Sequence, residues 1–511
     1  MAAKNSWLIL TIVSSGLFLV GVDMTVLNVA LPRLALELGA TTSEKLWMVN
    51  AYSLVMAGLL PGFGTLSDKI GHRTTLIAGL IVFGLSSGVA AFSPTPTVLI
   101  AARGLLATGA AMIMPATISI VRIVFTENHQ RAVAIGIWTS VWAGAAALGP
   151  ILGGLLLDHF WWGSVFLINL PVILVTLALT LTRIPHLPGN RAQHWDLLTS
   201  LLLTVALVAL LYAIKASLKA EAHWGEAAIA VVTGLVFMWL FLVRQRTLPS
   251  PLIDFSLFRN QRFSLGAAAA FFACFVLLGL QYVLSQELQL VRGFTPLQTG
   301  LFVLPLAAGS FVAGPIIGGL IFKIGIERLM TATLGLSAFG MGLYAIIGSH
   351  ASVGWEIVAF GVIGFGLGAV MSIASTAIMV NAPDERAGMA GSVESIAYEL
   401  GGTLGVAVMG SIIASIYTWS FQPPAAAELP SVAWDSLDQT LIAAMELTGG
   451  TAQQVINAGK AAFMEGASAG FAVATVLLVV LFALMAFRAL IADGSSVAKD
   501  KTAVGVNKEG G

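Results

Sequence analysis

The sequence predicts an all-α polytopic membrane protein with fourteen transmembrane helices. Composition is the first reason: 58% of the 511 residues are hydrophobic and only 10% are charged, where soluble domains run near a quarter charged. Segment length is the second. Fourteen apolar spans, roughly 7–31, 46–66, 74–93, 98–121, 132–157, 162–182, 197–216, 225–243, 263–290, 297–321, 328–348, 355–379, 388–417 and 467–490, can be drawn along the chain. Each reaches the ~20 residues that a helix needs to cross hydrocarbon, and all are too long for barrel strands. Charge asymmetry is the third. With the N-terminus in the cytoplasm, 18 of the 25 Lys and Arg fall on the inner side, six on the outer, and Arg103 within a span. That bias fits fourteen spans with both termini cytoplasmic, and a miscount of one span scrambles it.

Other classes are disfavoured. Net charge is zero, which gives no reason to invoke nucleic acid. One cysteine, Cys274, excludes a disulfide framework and a Cys-based metal site. No Walker loop, Ser nucleophile elbow or soluble output domain is present, and no histidines pair at HExxH spacing. A membrane enzyme, a sensor and an ATP-driven pump therefore fit poorly, and neither catalytic residues nor metal ligands are assigned. Only Lys4 precedes the first apolar run, which continues through Asp23 to Pro32, so it reads as an uncleaved span rather than a signal peptide.

Span 1 carries Asp23. A charge near the bilayer centre costs ~2.5–3.5 kcal/mol even on lenient scales, so the default reading is a cation-binding or proton-carrying group. Thr25 and Asn28 read as helix-contact hydrogen bonders. The turn after span 2, Gly64-Thr-Leu-Ser-Asp68-Lys69-Ile-Gly71-His72-Arg73, has glycines that permit a tight reversal. Asp68 can cap a neighbouring helix, and Lys69 and Arg73 lie on the positive side. Arg103, in Arg103-Gly-Leu-Leu-Ala-Thr-Gly109-Ala of span 4, needs a partner or water. It is either a static pair or a cation whose movement changes the proton affinity of a carboxylate.

Span 5 contains Gly144-Ala-Ala-Ala-Leu-Gly149-Pro150-Ile-Leu-Gly153-Gly154. Ala145, Gly149 and Gly153 recur every four residues, leaving one face almost free of side chains for close helix approach. Pro150 removes a backbone donor and bends the helix. In span 9, Glu287 lies toward the outer end and is either functional or an outer-vestibule residue. Glu356 and Asp158 lie near span ends and read as interfacial. Span 13 carries Glu394 and Glu399. Five helical residues place them ~140° apart, so one is expected in a cavity and the other in an interhelical contact or at the cytoplasmic mouth.

Aromatic faces bind lipophilic cations at about 0.5–2 kcal/mol per contact. Trp47, Tyr52, Trp138, Trp142, Tyr282 and Tyr398 are the candidates, ordinary packing being the alternative for each. Trp138 and Trp142 share a helix face. Trp161 and Trp162 read as interfacial-belt residues, and Met24, Met112 and Met114 as an adaptable wall. The external segment 418–466 holds Glu428, Asp435, Asp438, Glu446 and Glu465 against Lys460 alone. Apolar positions at 441–447 and 455–463 suggest two short amphipathic helices, forming either a solvated hairpin or a lid that attracts cations.

These motifs are joined by Leu46-Trp47-Met-Val-Asn50-Ala-Tyr52-Ser-Leu-Val and Glu394-Ser-Ile-Ala-Tyr398-Glu399-Leu-Gly-Gly. Together, and over nearly the whole chain, they resemble the major facilitator superfamily. Within it they resemble the fourteen-span drug:proton antiporters of the QacA/SmvA-like quaternary-ammonium efflux group. The resemblance implies a six-helix half at 1–182, a linker with two extra transmembrane helices at 183–262, a second six-helix half at 263–490 and a cytoplasmic tail at 491–511. It implies export of lipophilic cations in exchange for protons by a monomer in a bacterial inner membrane, driven by the proton-motive force without a cofactor. Asp23, Arg103, Glu394 and Glu399 match residues implicated in coupling and cation recognition, and the span 5 motif matches one associated with export. Asn50 stands where close relatives have an aspartate, and span 10 lacks an acid that some relatives carry. Export of a metabolite such as an amino acid or siderophore is the alternative; an anionic substrate would require more cavity cations than Arg103.

Overall fold

The computed structural model describes residues 3–506 except 41, 187, 191–194, 218–223, 249–250, 252, 348–352, 384–385, 425–426, 428 and 448–449. The described residues that form regular structure are helical. In the first half run α1 (Ala3–Leu38), α2 (Thr42–Ile70), α3 (His72–Ala91), α4 (Pro96–Val124), α5 (Asn128–His159) and α6 (Asn169–Arg183), the last entered by a single turn, Ser164–Leu167. A central pair follows, α7 (Leu197–Ser217) and α8 (Trp224–Thr247). The second half holds α9 (Gln261–Gln286), extended by a π-helical turn Glu287–Val291, then α10 (Pro296–Ile324), α11 (Ile326–Ile347), α12 (Val353–Val380), α13 (Ala387–Ser420), the short α14 (Leu437–Ala444) and α15 (Gly450–Val506).

Local chemistry sets the helix starts. Thr95 accepts from the Val98 amide ahead of Pro96, and Thr295 forms a capping box with Gln298 ahead of Pro296. Glu127 and Asn260 cap α5 and α9. Gly71 at φ 96° and Gly325 at φ 91° turn the chain from α2 into α3 and from α10 into α11. The same device thus sits at corresponding places in the two halves.

Thirteen helices among the described residues are long and apolar enough to cross a membrane. The expected span 197–216 is α7, whose described apolar stretch, Leu197–Leu210, is shorter than that criterion although the helix reaches Ser217. The expected pair of short helices in segment 418–466 is corrected. Its first member is α14, but the second is not separate, because α15 runs without a break from Gly450 through the final span. Within it Gly459 lies against Leu437 and Thr440, and Gly466 against Ile413. Tyr417 on α13 hydrogen-bonds Thr440 on α14, tying the external segment to the bundle.

The halves meet along two seams, α5 against α10 and α2 against α13. On the first seam the backbones of Gly136 and Gly314 touch so closely that neither position has room for a Cβ. Ser140 Oγ donates across it to the Ser310 carbonyl at 3.3 Å. The central pair packs on itself and docks α7 onto α2. Trp195 Nε1 donates to the Gly62 carbonyl at 2.9 Å, and Thr204 and Ser200 cover Gly58 and Gly62.

Candidate functional site

Asp23 projects from the middle of α1 into the interior of the first half, where it is fully buried. Arg103 of α4 meets it, Nη1 to Oδ2 at 2.5 Å. Arg103 Nε donates to the Met48 carbonyl of α2 at 3.2 Å, and its guanidinium lies 4.3 Å from the ring centre of Tyr52. Asn169, the first residue of α6, donates through Nδ2 to Asp23 Oδ1 at 3.3 Å and to Ser87 Oγ of α3 at 3.1 Å. Two buried charges are thus paired and each also engages neutral groups, the condition for tolerating them in low dielectric. Thr25 hydrogen-bonds back to the Gly21 and Val22 carbonyls of its own helix. The side chains of Asn28 and Asn50 lie outside the described residues.

The small-residue face of α5 does what its spacing predicts. Ala145 lies against Gly21, and Gly149 leaves room for Thr25 and Val26 of α1. Gly144 faces Phe311 of α10, Gly153 is buried and Pro150 is half-buried within an unbroken helix. In the α2–α3 turn Gly64 is buried, and the Asp68 carboxylate lies 3.9 Å from His72. Arg73 donates to the Leu181 carbonyl at the end of α6 at 2.7 Å. The Asp68 carbonyl accepts from the Asn190 amide at 2.8 Å, and Gly189 is pressed onto the backbone of Lys69 and Gly71. The segment after α6 therefore lies across this turn.

Glu394 and Glu399 of α13 are both fully buried. Tyr398 donates to Glu394 Oε1 at 2.9 Å, and Oε2 has no hydrogen-bond partner among the described residues. Glu399 lies beside Ser53 of α2, yet neither of its carboxylate oxygens has a well-formed hydrogen bond. Trp142 of α5 stacks on Tyr398, ring centroids 5.4 Å apart, an aromatic pair drawn from opposite halves. Trp138, on the same face of α5, donates to Thr117 at 3.2 Å. Met112 and Met114 are buried and Met24 is half-buried.

Other expected site residues lie apart from this group. Trp47 stacks on Tyr212 of α7, centroids 6.5 Å apart, and so turns toward the central pair. Tyr282 is partly exposed and packs by Gly410 at the far end of α13. Glu287 is an ion-pair residue: it is buried and meets Arg292 at 2.9 Å. Arg292 also clasps both oxygens of Glu356 at 2.9 Å. The interfacial reading of Glu356 is therefore corrected, since α12 turns it inward onto that arginine and leaves it 2% exposed. Trp162 is corrected likewise: it packs on Phe166 at 6% exposure, whereas Trp161 is exposed beside Phe92. Asp158 is exposed.

The sequence profile of the Major Facilitator Superfamily matches residues 13–406. The chain belongs to the major facilitator superfamily. It is 37% identical over 483 residues to the methyl viologen resistance protein SmvA of Salmonella typhimurium, covering 93% of this chain and 97% of that one. It is 33% identical over 491 residues to the multidrug efflux pump LfrA of Mycolicibacterium smegmatis, covering 95% and 97%. Among solved structures it shares the fold of the human organic anion transporter MFSD10 (TETRAN), with a TM-score of 0.57 at 16% identity over 91% of this chain and 99% of that one. Within this major facilitator chain the resemblance stated from the motifs stands, and the protein is a transporter rather than an enzyme.

Three partners of these buried charged residues escaped the sequence. Asn169 and Ser53 are neutral polar residues of a kind that apolar spans hold freely. Arg292 follows the apolar run and read as an ordinary outer-loop charge. The one available signal was weak: Arg292 lies five residues after Glu287, directly after the turn that Glu287 opens.

Proposed function

We propose that this transporter exports lipophilic cationic small molecules in exchange for protons, by alternating access across a bacterial inner membrane. Both termini lie in the cytoplasm, the protein acts as a monomer, and the proton-motive force drives it without a cofactor. One observation carries the reading: Glu394 and Glu399 are buried where the halves meet, and among the described residues Glu394 Oε2 and both Glu399 oxygens have no well-formed hydrogen bond. A buried carboxylate without partners is costly, and either a bound cation or a bound proton removes that cost. Cation and proton therefore compete for the same oxygens, which couples their movements in opposite directions. The stacked Trp142 and Tyr398 rings offer faces to a delocalised cation. Asp23, already matched by Arg103 and Asn169, suits proton carriage better than cation holding.

In this conformation the halves are joined at the end that charge asymmetry assigns to the cytoplasm. Arg122 of α4 donates to the Ala382 carbonyl beyond α12, and Ser392 Oγ of α13 to the Leu60 carbonyl of α2 at 2.9 Å. Admission of a cation from the cytoplasm requires these contacts to part. Relatives named for methyl viologen resistance and multidrug efflux support a drug-exporting role. One proton exchanged for one monocation moves no net charge; a second proton adds about 2.3 kcal/mol per 100 mV.

The test is ethidium transport in inverted vesicles with proton release followed by a pH dye, wild type beside Asp23→Asn. Ethidium-induced proton release that disappears in the variant supports antiport with Asp23 on the coupling path. Release that persists moves coupling to Glu394 or Glu399. Absence of any response from the wild type to lipophilic cations sinks the reading.

A further inference from the structure

Asp23 has partners of two kinds, and their difference carries an inference that rests on the proton-coupled reading above. The guanidinium of Arg103 only donates hydrogen bonds, so it can satisfy an ionised carboxylate but cannot accept from a carboxylic acid. Asn169 is the exception. Its amide has a donating end and an accepting end. The donating end, Nδ2, reaches Asp23 Oδ1 at 3.3 Å and Ser87 Oγ at 3.1 Å. The accepting end, Oδ1, is buried and has no hydrogen-bond partner among the described residues. Asn169 is 1% exposed and Ser87 is fully buried, so the group is closed to bulk solvent.

We propose that Asn169 is a positioning residue that serves both protonation states of Asp23 by rotating its amide. Facing the carboxylate, Nδ2 donates to Asp23 and Ser87 accepts the second N–H. When Asp23 takes up a proton and Arg103 withdraws, a half-turn of the amide brings Oδ1 to the same place. Oδ1 then accepts the acid O–H of Asp23, while the Ser87 hydroxyl rotates and donates to it. No bond other than hydrogen bonds is made or broken, and the proton stays on Asp23. The half-turn puts the accepting oxygen where the acid O–H needs it and carries Nδ2 to the place the oxygen leaves. Asn169 opens α6 directly after the turn Ser164–Leu167, and α1, α3 and α4 supply the other members of the group. The titratable and charged groups facing Asp23 are Arg103 from α4 and Tyr52 from α2, with Glu399 of α13 beyond Tyr52. Asn169 alone among the hydrogen-bond partners of Asp23 that the structure describes is neutral and two-faced.

The experiment reconstitutes the full chain in proteoliposomes with ethidium as probe and takes two readings: accumulation driven by a pH gradient, and ethidium-for-ethidium exchange at equal pH. Exchange does not require Asp23 to change protonation state during the cycle; driven accumulation does. Asn169→Leu is expected to lower the ratio of driven accumulation to exchange by about tenfold or more, the scale of one hydrogen bond to a charged group. Asn169→Asp retains both a donor and an acceptor when protonated. It is expected to keep coupling but move the pH midpoint of driven accumulation upward by about one unit or more, because adjacent carboxylates resist joint ionisation. A wild-type ratio in Asn169→Leu together with a wild-type midpoint in Asn169→Asp overturns the proposal. So does a parallel fall of both readings in the two variants at an unchanged midpoint, which identifies Asn169 as a packing contact. If Asn169→Leu does not fold, the midpoint of Asn169→Asp decides. Wild type without driven accumulation overturns the antiport reading itself, and this inference with it.

Discussion

Trp142 and Tyr398 stack across the contact between the two halves, their centroids 5.4 Å and their planes 18° apart. Tyr398 also donates to Glu394 at 2.9 Å, so one side chain supports both the aromatic surface and the acid. Substitution separates the two duties. Trp142→Ala is expected to weaken ethidium binding by about 0.5–1.5 kcal/mol, the worth of an aromatic pair. Tyr398→Phe keeps the ring and removes the donor, which favours protonated Glu394. The pH below which protons displace ethidium should therefore rise in Tyr398→Phe and stay put in Trp142→Ala. Ethidium anisotropy titrations across pH check both outcomes.

Removing Arg103 alone strands Asp23 as an uncompensated charge. Arg103→Ala should cost about 3–5 kcal/mol of stability, and Arg103→Ala with Asp23→Asn should recover most of it. Arg103→Lys is expected to behave as a poor substitute. A point-charge ammonium cannot bond the Met48 carbonyl and Asp23 at once while lying flat on Tyr52. Thermal melts of the detergent-purified proteins report the order: wild type, then the double variant and Arg103→Lys, then Arg103→Ala.

Arg292 serves two acids, Glu287 and Glu356, and lies 5.6 Å from the Phe302 ring centre. Lys460 of α15 donates to the adjacent Val291 carbonyl at 2.8 Å, so α9, α10, α12 and α15 converge there. Arg292→Leu leaves two buried carboxylates facing each other. It should destabilise the protein by about 3–5 kcal/mol, and adding Glu287→Gln and Glu356→Gln should restore much of the loss. A triple variant as unstable as Arg292→Leu alone contradicts this account.

Asp196 precedes α7 and ties it to α8 through Arg244 at 2.8 Å. Burial pushes its carboxyl up, but Arg244, Thr199 and the Leu198 amide together outweigh burial and hold it below its ordinary 3.8. A depressed carboxyl stabilises the folded state above the unfolded value and loses that contribution as pH falls through the folded one. Asp196→Asn should therefore cost little, about 1 kcal/mol or less for a partly exposed pair. The difference from wild type should be constant from pH 8 down to about 5 and close only below pH 4. Melts over that range test it.

The charged members of the site were legible because each breaks an apolar pattern at an energetic cost. Asp23, Arg103, Glu394 and Glu399 stand out for that reason, and the structure buries all four. Their partners were not legible, since pairing depends on tertiary distance. Glu287 and Glu356 are joined only once α12 folds back beside α9, and Asn169 meets Asp23 from 146 positions away. Direction around a helix was the other gap. Trp47 and Tyr52 share α2, but one faces Tyr212 and the other Arg103. The end of the second external helix was not legible, because the apolar period at 455–463 is the same whether the helix stops or runs on into the final span. Gly459 and Gly466 give neighbours room beside α15. The small-residue face of α5 was read correctly, because periodic absence of side chains has one geometric meaning.

The glycine contact between α5 and α10 makes that seam the spine of the molecule. Backbones that touch at Gly136 and Gly314 have no slack, so halves that keep this contact while separating open as a wedge, thin along the spine and wide at the opposite edge. The opposite edge is where α13 lies on α2 and Glu399 faces Ser53. A small angular swing about the spine thus grows from Trp142 and Tyr398 beside it toward the α2–α13 edge, where Glu399 lies.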